Sequence, residues 1–575
     1  MLKSGVLAGL SRRFIVFAHR LVIGLSHSDS SQRFIVGVLA AYWAIWTVYG
    51  VIAKSSQGIH TDMGEVVAWS WELEWGTPKH PPFLPALVRA WFTVFPLADW
   101  AYYQLAIGLI VVAIYFSWLM AGFWLRGPKR AAVPFLLMLI PFYNFLALRL
   151  DHNVVLIPLW AIATYAFARS FLTRSVTWSV ATGIAAGAAV LAKYWSFFLL
   201  FGLIVAALAD RRRLLFLKSP APWIMTVVSF GIFLPHLIWL DTNGYPTLAY
   251  AKHRLAETWP DLADALTNYT FGTIAYVAVP LVLWAILAKP TRQALRDALF
   301  PSDDDRRFAA MMFWTPLLVA IPFALLTSTG VNALWTMSEL SLFGVVLLSS
   351  PLVQFPRSAA AIVAMVAMLT SSGALLAAPF VAYWKNRVGI ENHAAYTHQL
   401  AADIGKTWRE TTAQPLRYVA SNGVIAYSAT FHIGSHPLPI SFFTRPGFGG
   451  IRRRRSRDSA SPSFVRFWIP FVWRRGIAWN RALPSVAAST SSSCPIGWDS
   501  QVRHEASRSM LCCPIRNKPH RLGPAPAGLP CARPQMTAAP FAGIHVDKAV
   551  PPGALRSLGR SGVNVHGRQS QRAWR

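Results

Sequence analysis

The sequence predicts an all-α polytopic membrane protein that ends in a small α/β segment outside the membrane and a long basic tail. Three observations predict it. Of the 575 residues, 54% are hydrophobic and only 14% charged, against roughly 25% charged in soluble domains. Apolar stretches long enough to cross a hydrocarbon core recur about eleven times, near 33–53, 102–124, 131–149, 154–171, 177–192, 195–209, 222–240, 270–288, 309–327, 331–349 and 358–380. Lys and Arg concentrate in alternate loops, which is how cytoplasmic loops are marked.

The elements follow in order. Residues 1–32 form a basic N-terminus. Arg residues interrupt its apolar pieces and no small-residue cleavage site follows, so it reads as an amphipathic helix at the cytoplasmic interface and not as a cleavable signal. The span region covers 33–380. The basic loops RGPKR (126–130), DRRR (210–213), KPTRQALRD (289–297) and FPR (355–357) fall on the N-terminal, cytoplasmic side. The first loop (54–101), Asp151 with Asn153, and PHLIWLDTNGYP (235–246) then face outward. That is the periplasm if this is the inner membrane of a Gram-negative bacterium. Residues 381–440 read as a small periplasmic domain, helical over AAYTHQLAADIGKTWRE and strand-like in LRYVAS and GVIAYSATFHI.

From 441 to 575 the composition changes. This tail carries 22 Lys+Arg against 4 Asp+Glu, so +18 of the total +30, and all four cysteines (Cys494, Cys512, Cys513, Cys531). It shows no sustained apolar period and reads as disordered or as an out-of-frame translation. A nucleic-acid or anionic-lipid arm is the other reading of such a charge run, but the predicted topology puts it outside, so no nucleic-acid partner is expected. The cysteines have no metal-ligand spacing.

A cluster of four acids lies just outside the first span, in HTDMGEVVAWSWELEWGTPKHPP (60–82). Asp62, Glu65, Glu72 and Glu74 are interleaved with Trp69, Trp71 and Trp75, and Lys79-His80 abuts Pro81-Pro82. Asp62 stands 14 residues before Gly76, and the prolines 5 and 6 after it. This layout resembles the first extracytoplasmic loop of the GT-C glycosyltransferases that use polyprenyl-phosphate sugars. Among them are the lipid A aminoarabinose transferase, the rhizobial galacturonosyl transferases and the protein O-mannosyltransferases. The resemblance extends through LDHNVVLIPLWA (150–161), GAAVLAKYWSFFLL (187–200), PHLIWL (235–240) and NALWTMSEL (332–340), over roughly residues 33–437. Two departures stand out. The Glu that often follows the family's catalytic Asp is Met63 here, with Glu65 the nearest substitute, and Lys79 lies one position further from the prolines than the usual lysine.

The resemblance implies a GT-C fold and transfer of a sugar from a polyprenyl-phosphate donor to a hydroxyl of an envelope glycan, lipid or protein. Asp62 falls on the catalytic aspartate, the general base of an inverting displacement. Lys79 and His80 are candidates for the donor phosphate, whose developing charge needs a cation; snorkelling to the interface is the alternative. Glu65, one turn from Asp62, is a second catalytic candidate that an acceptor, a metal or plain solvent would also satisfy. Asp151, opening DHNVV, is a second acidic motif or a helix cap. Lys193 and Arg254, the latter beside Lys252 and His253, are further phosphate candidates. Glu72 and Glu74 read as surface, the tryptophans as an interfacial belt, and Glu339 as an acid that needs a partner in its apolar surroundings. No cofactor is specified, and a divalent metal stays open. The competing classes are a flippase or transporter of lipid-linked glycans, which favours mid-span charges and internal repeats, and a glycan ligase or polymerase, which places its key residues in a late loop.

Overall fold

The computed structural model describes residues 4–26, 31–388, 397–421, 423–441, 465–467 and 510–513. Seven stretches are helical, long and apolar enough to cross a membrane: Ser31–Ala53, Asp99–Ala121, Leu156–Thr173, Ala221–Asn243, Trp259–Ala288, Asp304–Thr327 and Arg357–Arg387. The other four expected spans take different forms. Val176–Ala192 and Ser196–Ala209 are shorter apolar helices of 17 and 14 residues. The 131–149 stretch is the helix Gly127–Met138 followed by turns that begin at Pro141. The 331–349 stretch is a ten-residue 3₁₀ segment, Ala333–Leu342, continued by Phe343–Leu348.

Period and packing explain the spans. In Ser31–Ala53, the residues Ile35, Leu39, Tyr42, Trp46, Tyr49 and Ala53 recur every three or four positions and are buried, the single apolar face of a helix on a bundle. They meet the helices Asp99–Ala121 and Arg357–Val388. Tyr42 donates to the Tyr143 carbonyl at 2.8 Å, which ties the span to the turns after Pro141. By contrast, Ala221–Asn243 and Trp259–Ala288 bury few of their apolar side chains and leave several exposed, Val227 and Phe271 among them, as lipid-facing helices do. The N-terminal helix Ser4–Ser26 packs on Arg357–Val388 and Gly127–Met138, burying Ala18, Val22 and Leu25.

The basic loops converge on one another. Lys129 donates to the Ser350 carbonyl at 2.7 Å, and the Ser350 hydroxyl to Asp297 at 2.5 Å. Arg306 pairs with Asp297 at 2.7 Å, Arg211 with Asp304 at 3.2 Å, and Arg212 with both Asp210 and Asp305 at 2.7 Å. Loops 126–130, 210–213, 289–305 and 349–356 thus form one charged end.

The segment after the last span carries its own small core of Ala401, Trp408, Leu416, Val419, Ala429 and Ile433. Thr397–Thr411 is a helix and Tyr418–Ser421 a strand, as expected. GVIAYSATFHI is not a strand. Its residues Gly423–His432 form a helix, although Val, Ile, Tyr, Thr and Phe favour strands in isolation. Tertiary context reverses that preference, because Tyr418–Ser421 pairs in parallel with Leu438–Ser441 and a parallel pair needs a crossover. The helix supplies it, burying Ala426, Ala429 and Thr430. Within the tail, Met510–Cys513 pairs antiparallel with Tyr418–Ala420, and Val465–Phe467 with Met510–Cys512. The expectation of a disordered or out-of-frame tail otherwise falls outside the described residues, as do Cys494 and Cys531.

Candidate active site

The first loop opens with a helix, Thr61–Trp71, whose N-cap is His60; the His60 Nδ1 accepts from the Asp62 N–H at 3.2 Å. Asp62 therefore stands in the first turn, where the helix dipole favours a negative charge. Arg149 reaches it from the turn before Asp151. Its Nη2 and Nε lie 2.6 and 3.2 Å from the same carboxylate oxygen, Oδ2. No hydrogen bond among the described residues engages Oδ1. Burial raises the Asp62 carboxyl, but the charges of His60, Arg149 and Lys79 with the Arg149 hydrogen bonds outweigh it, leaving it below 3.8. Burial pushes His60 itself down to about 4 despite Asp62 beside it. Near neutrality Arg149 is thus the cation that holds Asp62.

The second half of the loop is a tight turn. The Thr77 N–H and hydroxyl both donate to the His80 carbonyl, at 2.9 and 2.8 Å, while Thr77 Oγ1 accepts from the N–H groups of Lys79 and His80. Pro81 and Pro82 then lead into the helix Phe83–Val94. The preceding strand of loop is clamped by Ala221–Asn243: the Trp75 carbonyl meets His236 Nδ1 at 2.5 Å, and Trp239 donates to Glu74 at 2.8 Å. Gly76 lies against the Trp239 ring so closely that a Cβ would come within 2.2 Å of it. That contact fixes where the Lys79-His80 turn begins.

The turn delivers its two basic residues to different partners. Lys79 Nζ sits 2.5 Å from Glu65 Oε1 and about equally far, 6.0 and 5.9 Å, from the rings of Trp69 and Tyr250. Glu65 is 5% exposed. Burial raises its carboxyl, and the charge and hydrogen bond of Lys79 offset this only in part. Burial lowers the Lys79 ammonium, but Glu65 and its hydrogen bond outweigh this and raise it. His80 turns its ring to His152, centroids 3.9 Å apart, and toward Tyr250 at 5.8 Å. Burial and the surrounding Lys79, Lys193 and Arg254 hold His80 well below 6.5, and burial with Lys193 takes His152 down to about 3. Both rings are neutral at pH 7, and His152 Nε2 is buried without a hydrogen-bond partner among the described residues.

Lys193 and Asp151 complete the group. Lys193 Nζ donates to Asn153 Oδ1 at 2.6 Å and lies 4.5 Å over the Trp335 ring; burial lowers it to about 7. Asp151 accepts from the N–H groups of Asn153 and Val154 and from the Asn153 amide. It caps its own turn, as one of the two readings expected. Burial and the charge of Asp62 raise it. Arg254 donates to the Tyr250 hydroxyl at 2.8 Å, so Tyr250 links Lys79, His80 and Arg254.

All seven residues singled out in the sequence therefore meet in one region: Asp62, Glu65, Lys79, His80, Asp151, Lys193 and Arg254. Lys252 and His253 are exposed beside it. Glu339 is buried, its Oε1 accepting at 2.9 Å from Trp195, whose ring lies 5.0 Å from the Trp335 ring beneath Lys193. Sequence reasoning missed Arg149, His152, Tyr250 and Tyr427. Arg149 had left a signal: it is an isolated charge at the end of an apolar stretch, two residues before Asp151. Among the described residues no group of three His, Cys, Asp or Glu side chains gathers where it would hold a metal.

A family model described as dolichyl-phosphate-mannose-protein mannosyltransferase matches residues 79–239, less than half of the chain. Among solved structures, ArnT from Cupriavidus metallidurans in the apo state aligns with a TM-score of 0.51 at 14% identity, covering 71% of this chain and 86% of that one. The chain has the GT-C glycosyltransferase fold. ArnT from the same organism bound to undecaprenyl phosphate gives 0.41 at 17% identity, covering 72% and 77%. The oligosaccharyltransferase AglB from Archaeoglobus fulgidus, in complex with an inhibitory peptide and a dolichol-phosphate, gives 0.39 at 13%, covering 72% and 65%. No curated protein matches. The matched stretch of 79–239 begins at the Lys79-His80 turn and ends at Trp239, which clamps it. Family and GT-C fold together support a membrane glycosyltransferase that uses polyprenyl-phosphate-linked sugars.

Proposed function

We propose that this protein transfers a sugar from a polyprenyl-phosphate donor to an acceptor hydroxyl at the outer face of the inner membrane, with inversion at the anomeric carbon and Asp62 as general base. The observation that carries the reading is the gathering of Lys79, His80, Lys193 and Arg254, from three separate parts of the chain, around Tyr250 and His152 beside the Asp62–Arg149 pair. The acceptor oxygen bonds to the anomeric carbon as the bond from that carbon to the phosphate oxygen breaks. Its proton passes to Asp62, whose Oδ1 stays free while Arg149 holds Oδ2. The bonding pair leaves with the lipid phosphate, which gains a negative charge. Lys79, Lys193 and Arg254 are the cations that offset it, with the Lys79-His80 turn fixed by Thr77 and the two prolines. Convergence of the basic loops at a different set of contacts supports a cytoplasmic side for them and an outward one for Asp62. No nucleic acid enters this chemistry; the donor, a hydroxyl acceptor of the cell envelope and the bilayer are the partners.

The test is transfer of a labelled sugar from a polyprenyl-phosphate donor in membranes, comparing wild type with Asp62→Asn. Loss of about a hundredfold or more at equal expression is expected for removal of a general base. Full activity in the variant would take Asp62 out of the mechanism, and no transfer by wild type would sink the reading.

A further inference from the structure

The helix Ala221–Asn243 buries only Ala221, His236 and Leu240. His236 is the polar one, and a polar ring in a lipid-facing helix is costly unless it is partnered. Both of its nitrogens are partnered, and by other segments. Nδ1 lies 2.5 Å from the Trp75 carbonyl of the first loop, and Nε2 lies 2.6 Å from the Tyr194 hydroxyl. The Tyr194 hydroxyl lies 2.9 Å from that of Thr247. A carbonyl only accepts, so Nδ1 carries a proton. The neutral ring then accepts at Nε2 from Tyr194, which has one proton to give and therefore accepts from Thr247. Groups from four segments thus form one chain of hydrogen bonds with a fixed direction.

The chain runs past the cations of the site. Trp75 precedes Gly76 and the turn that carries Lys79 and His80, and Tyr194 follows Lys193. Thr247 is the one buried residue of the helix Pro246–Lys252, so its hydroxyl is where that helix is anchored. The same helix carries Tyr250, which accepts from Arg254 at 2.8 Å and whose ring centroid lies 5.9 Å from Lys79 Nζ. A buried polar network with every member paired makes rigid what it joins.

We propose that His236 is a positioning residue of the transferase: through Trp75, Tyr194 and Thr247 it holds the segments that bear Lys79, Lys193 and Arg254 in register, so that three cations meet one donor phosphate. The inference rests on the function proposed above. His236 itself meets neither donor nor acceptor, and its effect is on donor affinity.

The test is undecaprenyl phosphate binding, titrated in detergent. Tyr194→Phe removes the central oxygen and keeps the ring. His236→Phe removes both nitrogens, whereas His236→Gln keeps a donor and an acceptor on one planar group. Tyr194→Phe and His236→Phe are each expected to weaken binding by about tenfold, the scale of a lost buried hydrogen bond, and His236→Gln to recover most of that loss. Thr247→Val is expected to add nothing in the Tyr194→Phe background, where its bond is already gone. Unchanged affinity per folded molecule in Tyr194→Phe, whatever the loss of Tm, overturns the proposal. So do losses that multiply in the double variant, or a Gln variant that binds no better than the Phe one. A second readout needs no donor: hydrogen exchange of the amides in 75–80 and 246–253. Tyr194→Phe lies in neither segment, yet should speed exchange in both, because local opening no longer has to break the chain. Exchange that rises in only one segment, or in neither, overturns the proposal even if wild type binds no lipid phosphate, a result that would sink the functional reading separately.

Discussion

The two charged regions of this molecule are built on opposite principles. At the basic end, acids and bases pair off. Arg306 holds Asp297, Arg212 holds Asp210 and Asp305, and Arg211 holds Asp304. Hydrogen bonds from Arg306 bring Asp297 below its ordinary pKa, and hydrogen bonds and charge from Arg212 do the same for Asp210 against the opposing effect of burial. At the other end, cations outnumber acids and several groups are held against their charged forms. Lys193 is lowered, Glu65 and Asp151 are raised, and His80 and His152 are kept neutral, in each case chiefly by burial. Ion pairs of the first kind are satisfied within the protein. Groups of the second kind are held by the fold against their charged forms, and clusters of that kind are candidates for functional sites.

Lys193 gives the sharpest way to break this contrast. Replacing it with Met should weaken binding of undecaprenyl phosphate by about tenfold to a hundredfold, the range of one hydrogen bond to a charged group, as measured by titration in detergent. The pH dependence fixes the sign. A lysine lowered to about 7 is protonated below that pH and loses its charge as pH rises through it. Phosphate binding raises its pKa in turn, so affinity should decline from pH 7 toward pH 9, and Lys193→Arg should abolish that decline. Flat affinity in wild type over this range would mean that Lys193 does not meet the phosphate.

Arg306 tests the other side of the comparison. Its side chain is 16% exposed and that of Asp297 20%, so Arg306→Ala leaves a largely buried carboxylate with fewer partners and should cost about 1–3 kcal/mol, seen as a lower Tm. Transfer per folded molecule should not change. The sign with pH is equally definite. Asp297 lies below its unfolded value, so its contribution is present above about pH 4 and is lost as pH falls through the folded pKa. The loss from Arg306→Ala should therefore shrink under acid. A fall in transfer that exceeded the loss of folded protein would mean that the two ends are coupled and not separate in purpose.

How far the sequence revealed this depended on the range of the signal. The spans were legible from local apolar period, and Asp62 and the Lys79-His80 turn from spacing within a single loop. Those signals span 23 residues or fewer. Arg149 was not legible as the partner of Asp62, because the pairing joins positions 87 apart and no local pattern records it. Tyr427 was further out of reach. Reading GVIAYSATFHI as a strand would put its side chains alternately on two faces, whereas the helix imposed by the parallel strand pair lies along Thr61–Trp71 with Tyr427 against Gly64. The broken segment Ala333–Leu342 escaped for a related reason, since hydropathy registers its apolar composition but not that Asn332, Thr336, Ser338 and Glu339 interrupt a regular helix. Composition reports what must be buried, and topology decides what it is buried against.

The smallest effect is expected at Arg211, and its smallness is informative. Its side chain is 81% exposed where it meets Asp304 at 3.2 Å, and such a pair is screened by water and costs side-chain entropy to hold. Exposed pairs are worth about 0–1 kcal/mol, so Arg211→Ala should shift Tm by no more than a degree or two and leave transfer unchanged. Arg254 is also exposed and also basic, yet it faces Tyr250 and the Lys79-His80 turn instead of an acid. If the basic end is structural and the other a binding site, Arg254→Ala should leave Tm nearly as unaffected as Arg211→Ala does, while weakening undecaprenyl phosphate binding severalfold. Two exposed arginines with equal effects on stability and unequal effects on binding would separate the two ends by purpose alone. Equal effects on both would mean that exposure, and not location, governs what an arginine does in this protein.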